Sequence, residues 1–333
     1  MLEDCGLSRT NASLIPQYGT AIDMPFDEQR LLRTPSGTAL NLFIKNAGQD
    51  ARAIVQINHG LAEHAGRYAA FADFLAGQGF HVYAQDHRGH GLTRAEDALP
   101  GMFARKDGVK KVIADVASVH DLIAKEHPGR PVILFGRSIG GLIALGFLRE
   151  RARPVAGAAI WDYPEEPLPA RMTRLLLAWE RFRLGSDAPS HLLPRFTFDV
   201  WADAIPDRRT PFDWLSRDPA AVDAFIADPL CGWAPSVSMW SDMIALFAEL
   251  SKPGAFDPID RALPFHLAGG GADPVTDHGN AVLALAKRLH RQGFSNLSSR
   301  IYAGNRHDCL NDAGGLQIME DFAAWIDHSA LAT

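Results

Sequence analysis

The chain has 333 residues, 47% of them hydrophobic, with a formal net charge of -6 and a sequence pI near 6.1. That length and apolar content can bury a large core, in one large α/β domain with an insertion or in two ordinary domains, and they argue against disorder. The acidic balance and the lack of any Lys/Arg run argue against a nucleic-acid surface, which needs clustered cations to neutralise phosphates; an uncharged small molecule or an ester fits better.

Cys5, Cys231 and Cys309 are too few and too scattered for a disulfide scaffold or for a zinc site, which would need closely paired ligands, and read as thiols of a reducing compartment. The amino-terminal stretch "MLEDCGLSRTNASLIPQYGT" carries acids early and lacks a basic patch followed by an apolar run, so no signal peptide is expected. No stretch approaches about 18 uninterrupted apolar residues, as a membrane-spanning helix would need. A soluble cytoplasmic protein is expected, with peripheral lipid contact left open.

In chain order, "EQRLLRTPSGTALNLFIKN" (28–46) predicts an antiparallel hairpin around Pro35-Ser36-Gly37. Six β-rich runs then predict buried parallel strands: 53–58, 80–86, 131–136, 155–161, 264–270 and 297–304. Apolar residues at i, i+3 and i+4 predict helices at about 67–78, 107–127, 139–151, 277–292 and 315–329. This alternation is the pattern of strand-helix-strand units on a mostly parallel sheet.

Alternation stops over residues 163–257, with helices expected at about 168–184, 198–204, 219–226 and 236–249. Five of the seven tryptophans (Trp179, Trp201, Trp214, Trp233 and Trp240) fall here. A strand-free stretch entered after one sheet strand and left before the next predicts a helical cap, 163–257, inserted into a core of 1–162 and 258–333.

"ILFGRSIGGLIALGF" (133–147) interrupts an apolar segment with Gly136-Arg137-Ser138-Ile139-Gly140. A parallel strand that turns abruptly into a helix strains the apex residue, and glycines two positions to either side remove the side chains that would collide there. Such a G-x-S-x-G elbow lifts the serine hydroxyl clear at the carboxyl end of the sheet and aims the helix amino terminus at developing negative charge. The bland reading is a serine filling a turn. The strand-turn-helix context favours the nucleophile, Ser138.

A serine hydroxyl needs a base and an orienting acid, in the chain order Ser, Asp, His. "GADPVTD" places Asp273 after one strand, and "NRHDCLND" places His307 after the next, on the same edge of the sheet. Asp162, after "AAIW", is the rival acid, while Asp308 and Asp312 sit too near His307 in sequence to reach its far nitrogen. His59, His64, His87 and His90 precede the serine and break the order. The oxyanion hole needs two N–H groups: Ile139 offers one and Leu61, in the loop after 53–58, the other. His59 and His64 are expected to bond backbone within that loop, and "DHRGHG" (86–91) to form a structured turn rather than a metal cluster.

With these residues placed, the chain resembles the α/β-hydrolase fold superfamily, and within it the monoacylglycerol lipase and lysophospholipase group. The matching motifs are "NHGLAEHAGRY" (58–68), "DHRGHGLT" (86–93), "GRSIGG" (136–141), "GGGADPVTD" (269–277) and "RHDCLND" (306–312), with "FDWLSRDPAAVDAFIADPLCGW" (212–233) resembling bacterial members. The resemblance implies Ser138 as nucleophile, Asp273 and His307 as partners, and the N–H groups of Leu61 and Ile139 as oxyanion hole. Two positions depart from the pattern: Ala62 stands where glycine is frequent, and Arg137 where histidine is usual, adding a charge beside the elbow.

The implied chemistry is acyl transfer to Ser138 followed by hydrolysis, with no metal or organic cofactor, on a small-molecule ester with an apolar acyl group. The cap is expected to roof the pocket, although its tryptophans would also serve to pack the cap itself. An aminopeptidase, a thioesterase or a cofactor-free peroxidase on the same triad stays open, the peptidase because Asp162, Glu165 and Glu166 could hold a substrate amine. A non-catalytic ligand-binding protein on this fold is the reading from another class. A dehalogenase or epoxide hydrolase is disfavoured, since each needs Asp where Ser138 stands.

Overall fold

A computed structural model describes residues 26–48, 51–150, 153–164 and 170–331. Cys5, the amino-terminal stretch read for a signal peptide, and Glu165 and Glu166 lie outside the described residues.

The strands are β1 (Glu28–Arg33), β2 (Thr38–Lys45), β3 (Ala53–Asn58), β4 (Phe80–Gln85), a two-residue β5 (Arg94–Ala95), β6 (Val132–Arg137), β7 (Gly157–Trp161), β8 (Phe265–Gly270) and β9 (Leu297–Tyr302). They form one sheet of order β1-β2-β4-β3-β6-β7-β8-β9, with β5 pairing β2. The first hairpin joins β4 antiparallel, and from β4 to β9 every pairing is parallel.

The helices are α1 (Ala69–Gly77), α2 (Gly108–Glu126), α3 (Ile139–Leu148), α4 (Ala170–Leu184), α5 (Leu193–Phe196), α6 (Phe198–Asp203), α7 (Pro219–Ala227), α8 (Val237–Ser251), α9 (Asn280–Arg291) and α10 (Gly315–Trp325). Strands β3, β4, β6, β7 and β8 are buried along their whole length, as apolar runs covered on both faces must be. Their side chains alternate between two cores. Leu134, Ile160 and Leu267 face one with α2, α3 and α8, whereas Phe135, Trp161 and Ala268 face the other with α1 and α10.

Three sequence expectations need correction. Strand β9 is parallel as expected but half exposed rather than buried, because it is the edge of the sheet and has a neighbour on one side only. Helix α9 starts at Asn280 rather than 277, because Asp277, His278 and Gly279 all take positive φ (48°, 54° and 85°), which no helix accommodates. The single helix read at 67–78 is a short 3-10 turn, Ala65–Tyr68, followed by α1. The two-residue β5 and the one-turn α5 carry too few residues for any periodicity to reveal them.

Between β7 and β8 the described residues form five helices, α4 to α8, and no strand. Helix α8 packs on α3 and α2, and α4 packs on α8. Helix α7 starts at Pro219, with the Asp218 carboxylate accepting from Ala220 N at its cap, and α8 starts behind Ser236, whose hydroxyl accepts from Met239 N. No helix among the described residues is long and apolar enough to cross a membrane.

Strands β3, β6, β7, β8 and β9 all end on the same edge, so the loops bearing Leu61, Ser138, Asp162, Asp273 and His307 emerge together. Chain order reverses between β3 and β6: β4 lies to one side of β3 and β6 to the other. Open α/β sheets bind ligands at such a switch point, and Ser138 and Leu61 flank it.

Candidate active site

Ser138 sits at the junction of β6 and α3 with φ 54° and ψ −122°, a strained conformation for a residue with a side chain. Its N–H is taken up by Trp161 O at 2.9 Å, and its own carbonyl receives Gly141 N and Leu142 N. The flanking glycines are steric necessities. A Cβ at Gly136 would lie 2.4 Å from Gly140 O, and one at Gly140 would lie 2.1 Å from Asn58 O. The N–H of Ile139 is among the donors that a helix start leaves without an intrahelical partner, beside the serine hydroxyl.

His307 Nε2 lies 3.1 Å from Ser138 Oγ, and its Nδ1 lies 2.9 Å from Asp273 Oδ2. Asp273 is wholly buried and its other oxygen accepts from Val275 N at 2.8 Å, which fixes the carboxylate toward the ring. Burial works against a charged His307, but Asp273, by charge and hydrogen bond, and Asp162 outweigh it and raise its pKa above the usual value. The line of three groups can pass a proton from hydroxyl to imidazole and stabilise the resulting imidazolium.

The rival acid Asp162 follows β7 directly, with φ 49°, and is wholly buried. Its Oδ1 accepts from Cys309 Sγ at 3.3 Å, and Oδ2 has no hydrogen-bond partner. Burial, and then Asp273 against the pull of His307 and Arg137, push its carboxyl well above the usual range. It makes no hydrogen bond to His307, which Asp273 does. Asp312 accepts from Arg306 N and Arg217 N, away from the ring.

Arg137, expected as an added charge at the elbow, is buried and matched. Its guanidinium donates to Tyr68 Oη at 3.0 Å, to Glu63 Oε2 at 2.9 Å and to His307 O at 3.1 Å, and lies 3.2 Å from Asp308 Oδ1. Arg67 completes the cluster, reaching Glu63 Oε2 and Asp308 Oδ2 at 2.9 Å each. Glu63 Oε1 accepts from Gly60 N at 2.6 Å and Tyr68 Oη at 2.9 Å. Burial alone would raise the Glu63 carboxyl; Arg137 and Arg67 overcome it and hold the carboxyl down, at about 2. One network thus ties the loop after β3, the end of β6 and the loop of His307. Glu63, Arg67 and Asp308 carried no signal in sequence beyond being charged residues inside motifs.

The histidines before the serine have other work. His59 Nδ1 meets Gly60 O at 2.7 Å and its Nε2 accepts from His87 N, the backbone role expected for it. His64, expected to do likewise, instead bonds Asp228 Oδ2 across 2.7 Å, because the chain between α7 and α8 returns to cover it. The "DHRGHG" segment is a turn wound about Asp86, which accepts from Ala65 N, Leu92 N and Asn41 Nδ2. Burial holds His87 and His90 neutral, down to about 3 and about 4.

Above Ser138 and His307 lies a cavity of about 260 Å³ walled by Leu61, Leu142, Trp201, Trp214, Trp233, Trp240 and Phe247 among others. Four of the five expected tryptophans line it; Trp179 does not, and stands half exposed on α4. Trp214 and Trp201 also pack on Phe198, so they wall the cavity and stabilise the helices around it at once.

A mostly parallel sheet with a strained serine at the turn after its central strand, and acid and histidine on the next loops, defines an α/β-hydrolase fold. Residues 49–314 match the model of the serine aminopeptidase S33 family, and the chain belongs to that family. It is 26% identical over 282 residues to the monoacylglycerol lipase of Mycolicibacterium smegmatis, covering 83% of this chain and 89% of that one. Over 264 residues it is 28% identical to human monoglyceride lipase, covering 77% of this chain and 75% of the relative. A thermostable carboxyl esterase from Bacillus coagulans superposes with a TM-score of 0.83 at 22% identity, covering 91% of this chain and 99% of that chain, and shares the fold.

Proposed function

We propose that the protein is a serine hydrolase that cleaves carboxylic esters with apolar acyl groups, monoacylglycerols foremost, through an acyl-enzyme on Ser138. The observation that carries this reading is the hydrogen-bonded line Ser138–His307–Asp273 on the floor of an apolar cavity. His307 takes the Ser138 proton as Oγ attacks the ester carbonyl, then returns it to the leaving alcohol; water, activated by the same imidazole, releases the acid. The N–H groups of Ile139 and Leu61 receive the developing oxyanion. None of these steps calls for a metal or a cofactor. The relatives named monoacylglycerol and monoglyceride lipase support the ester class.

Residues 163–257 act as the cap over a core of 1–162 and 258–333, and the walls that they supply to the cavity support that division. On α4, Leu175 and Phe182 are 73% and 90% exposed among Arg171, Arg174, Arg181 and Arg183, which supports peripheral contact with an anionic lipid surface. A reducing, cytoplasmic setting agrees with the free thiols of Cys231 and Cys309. The peptidase alternative is weaker, because Asp162 is wholly buried and unavailable to a substrate amine.

Asp273→Asn is expected to lower kcat by about 10⁴-fold by spoiling the tautomer and the charge that favour His307 as base. His307 works only when neutral, so activity falls as pH drops through the native pKa of its imidazole, which Asp273 holds above the usual value. Removing the Asp273 charge takes away the main influence raising that value, and the acidic limb of kcat/KM should move to lower pH. An unmoved limb would assign the orienting role elsewhere.

Saturated p-nitrophenyl esters of graded length test the substrate class. Each methylene entering the cavity should raise kcat/KM by about fourfold until the cavity is full, from about 0.8 kcal/mol per buried methylene. A profile that is flat or falls beyond acetate rejects the apolar-acyl reading.

A further inference from the structure

His64, Asp228 and Cys231 converge beside the Ser138 cavity without lining it, where the loop after β3 meets the segment between α7 and α8. Their donor atoms lie within 4.8 Å of one another, and His64 Nε2 is 2.7 Å from Asp228 Oδ2. We propose that these three side chains form a binding site for one borderline-soft divalent cation, of the zinc or cobalt class, that cross-links the segment after α7 to the loop carrying Leu61.

The donor set selects the ion. One imidazole, one carboxylate and one thiolate suit zinc and cobalt, which take N, O and S ligands tetrahedrally; magnesium and calcium demand oxygen throughout. Three protein ligands leave a fourth position for water, and the side chain of Asp228, 16% exposed, keeps a route to solvent open.

The backbone prepares the ligands. In the Asp228-Pro229-Leu230-Cys231 turn, Cys231 N donates to Asp228 O at 3.0 Å, which puts both side chains on one loop. Leu230 N donates to Asp228 Oδ1 at 2.8 Å, so that oxygen is held and Oδ2 is left to the ion. Gly232, at φ 68°, donates to Ala62 O at 2.9 Å and pins the turn against the β3 loop two residues before His64. Trp233 Nε1 donates to Leu230 O at 3.0 Å and closes the turn from its other side.

Charge permits the exchange. Burial, with the Asp228 and Glu63 carboxylates, pushes the Cys231 thiol up against the pull of Arg67, so the thiol does not ionise on its own. A bound divalent ion reverses that balance and deprotonates it. The thiol proton leaves to solvent, an imidazolium proton leaves with it where His64 carries one, and the His64 Nε2 and Asp228 Oδ2 lone pairs turn to the metal. Where two protons leave for one divalent ion, the net charge beside Arg67 stays the same. Cysteine spacing alone points away from such a site, because its histidine stands 164 positions from its carboxylate.

Cobalt titration of the metal-stripped full chain tests the site without reference to ester hydrolysis. The expected result is a saturable near-ultraviolet sulfur-to-cobalt charge-transfer band with tetrahedral d–d bands, at one ion per chain, reversed by added zinc. The band should vanish in C231S. Asp228→Asn should weaken cobalt binding by about tenfold or more with an unchanged far-ultraviolet circular dichroism spectrum. A chain with Cys5 and Cys309 both replaced by alanine should keep the band. Absence of a saturable band in the native chain, or a band that survives C231S, overturns the proposal.

Discussion

Ser138→Ala is expected to lower kcat for any p-nitrophenyl ester on the order of 10⁶-fold while leaving KM within a few-fold of the native value. The proposed mechanism routes the acyl group through Oγ, and alanine removes the only atom at the elbow that can carry it. The methyl group fits where the hydroxyl stood, and Trp161 O, Gly141 N and Leu142 N bond to the backbone of residue 138, not its side chain. The fold is therefore kept, as circular dichroism and an unchanged urea midpoint would verify. Residual hydrolysis over water should remain, since the oxyanion donors and the cavity are untouched. A loss smaller than about 100-fold would place the nucleophile elsewhere.

Arg137→Met should destabilise the protein by about 3–5 kcal/mol, because it leaves two carboxylates, Glu63 and Asp308, buried with only Arg67 between them. Methionine approximates the volume of the arginine stem, so the loss reads charge pairing and hydrogen bonding rather than a cavity. Activity should also fall, since the guanidinium holds the carbonyl of His307 and, through Glu63, the N–H of Gly60 next to Leu61. Arg137→Lys should recover only part of both, because one ammonium cannot span Tyr68, Glu63, Asp308 and His307 at once. Urea unfolding of the three proteins measures the stability. An Arg137→Met loss below about 1 kcal/mol would mean that the network contributes little.

This position also shows where sequence reading stops. Arg137 beside a nucleophile reads as an added charge at the elbow, and only the fold shows its guanidinium, at the cavity floor, matched by two acids, one 74 and the other 171 residues distant in the chain. Buried ion pairs between loops leave no periodicity and no fixed spacing. The elbow is the opposite case. Its glycines are forced locally, at two positions where a Cβ would strike backbone, so the motif and its geometry are the same fact.

The strands and most helices were equally legible, because parallel strands buried on both faces must be continuous apolar runs. The misread pieces follow the same logic. Strand β9, half of it polar at Ser298, Ser299 and Arg300, lies at the edge of the sheet, and its place in the strand alternation hid the exposure that those residues signal. The start of α9 depends on three consecutive residues with positive φ, of which only Gly279 is a type that signals it. Asp273 and His307 could be placed on the correct edge from strand order, whereas their 2.9 Å hydrogen bond needed the tertiary structure.

Covalent labelling tests the central claim most directly. The native protein, treated with a fluorophosphonate and digested, should carry one adduct on the peptide containing Ser138, with loss of ester hydrolysis in step with labelling. Ser138→Ala should carry none. An adduct on another residue, or full inhibition with no adduct at Ser138, would contradict the assignment of Ser138 as the nucleophile.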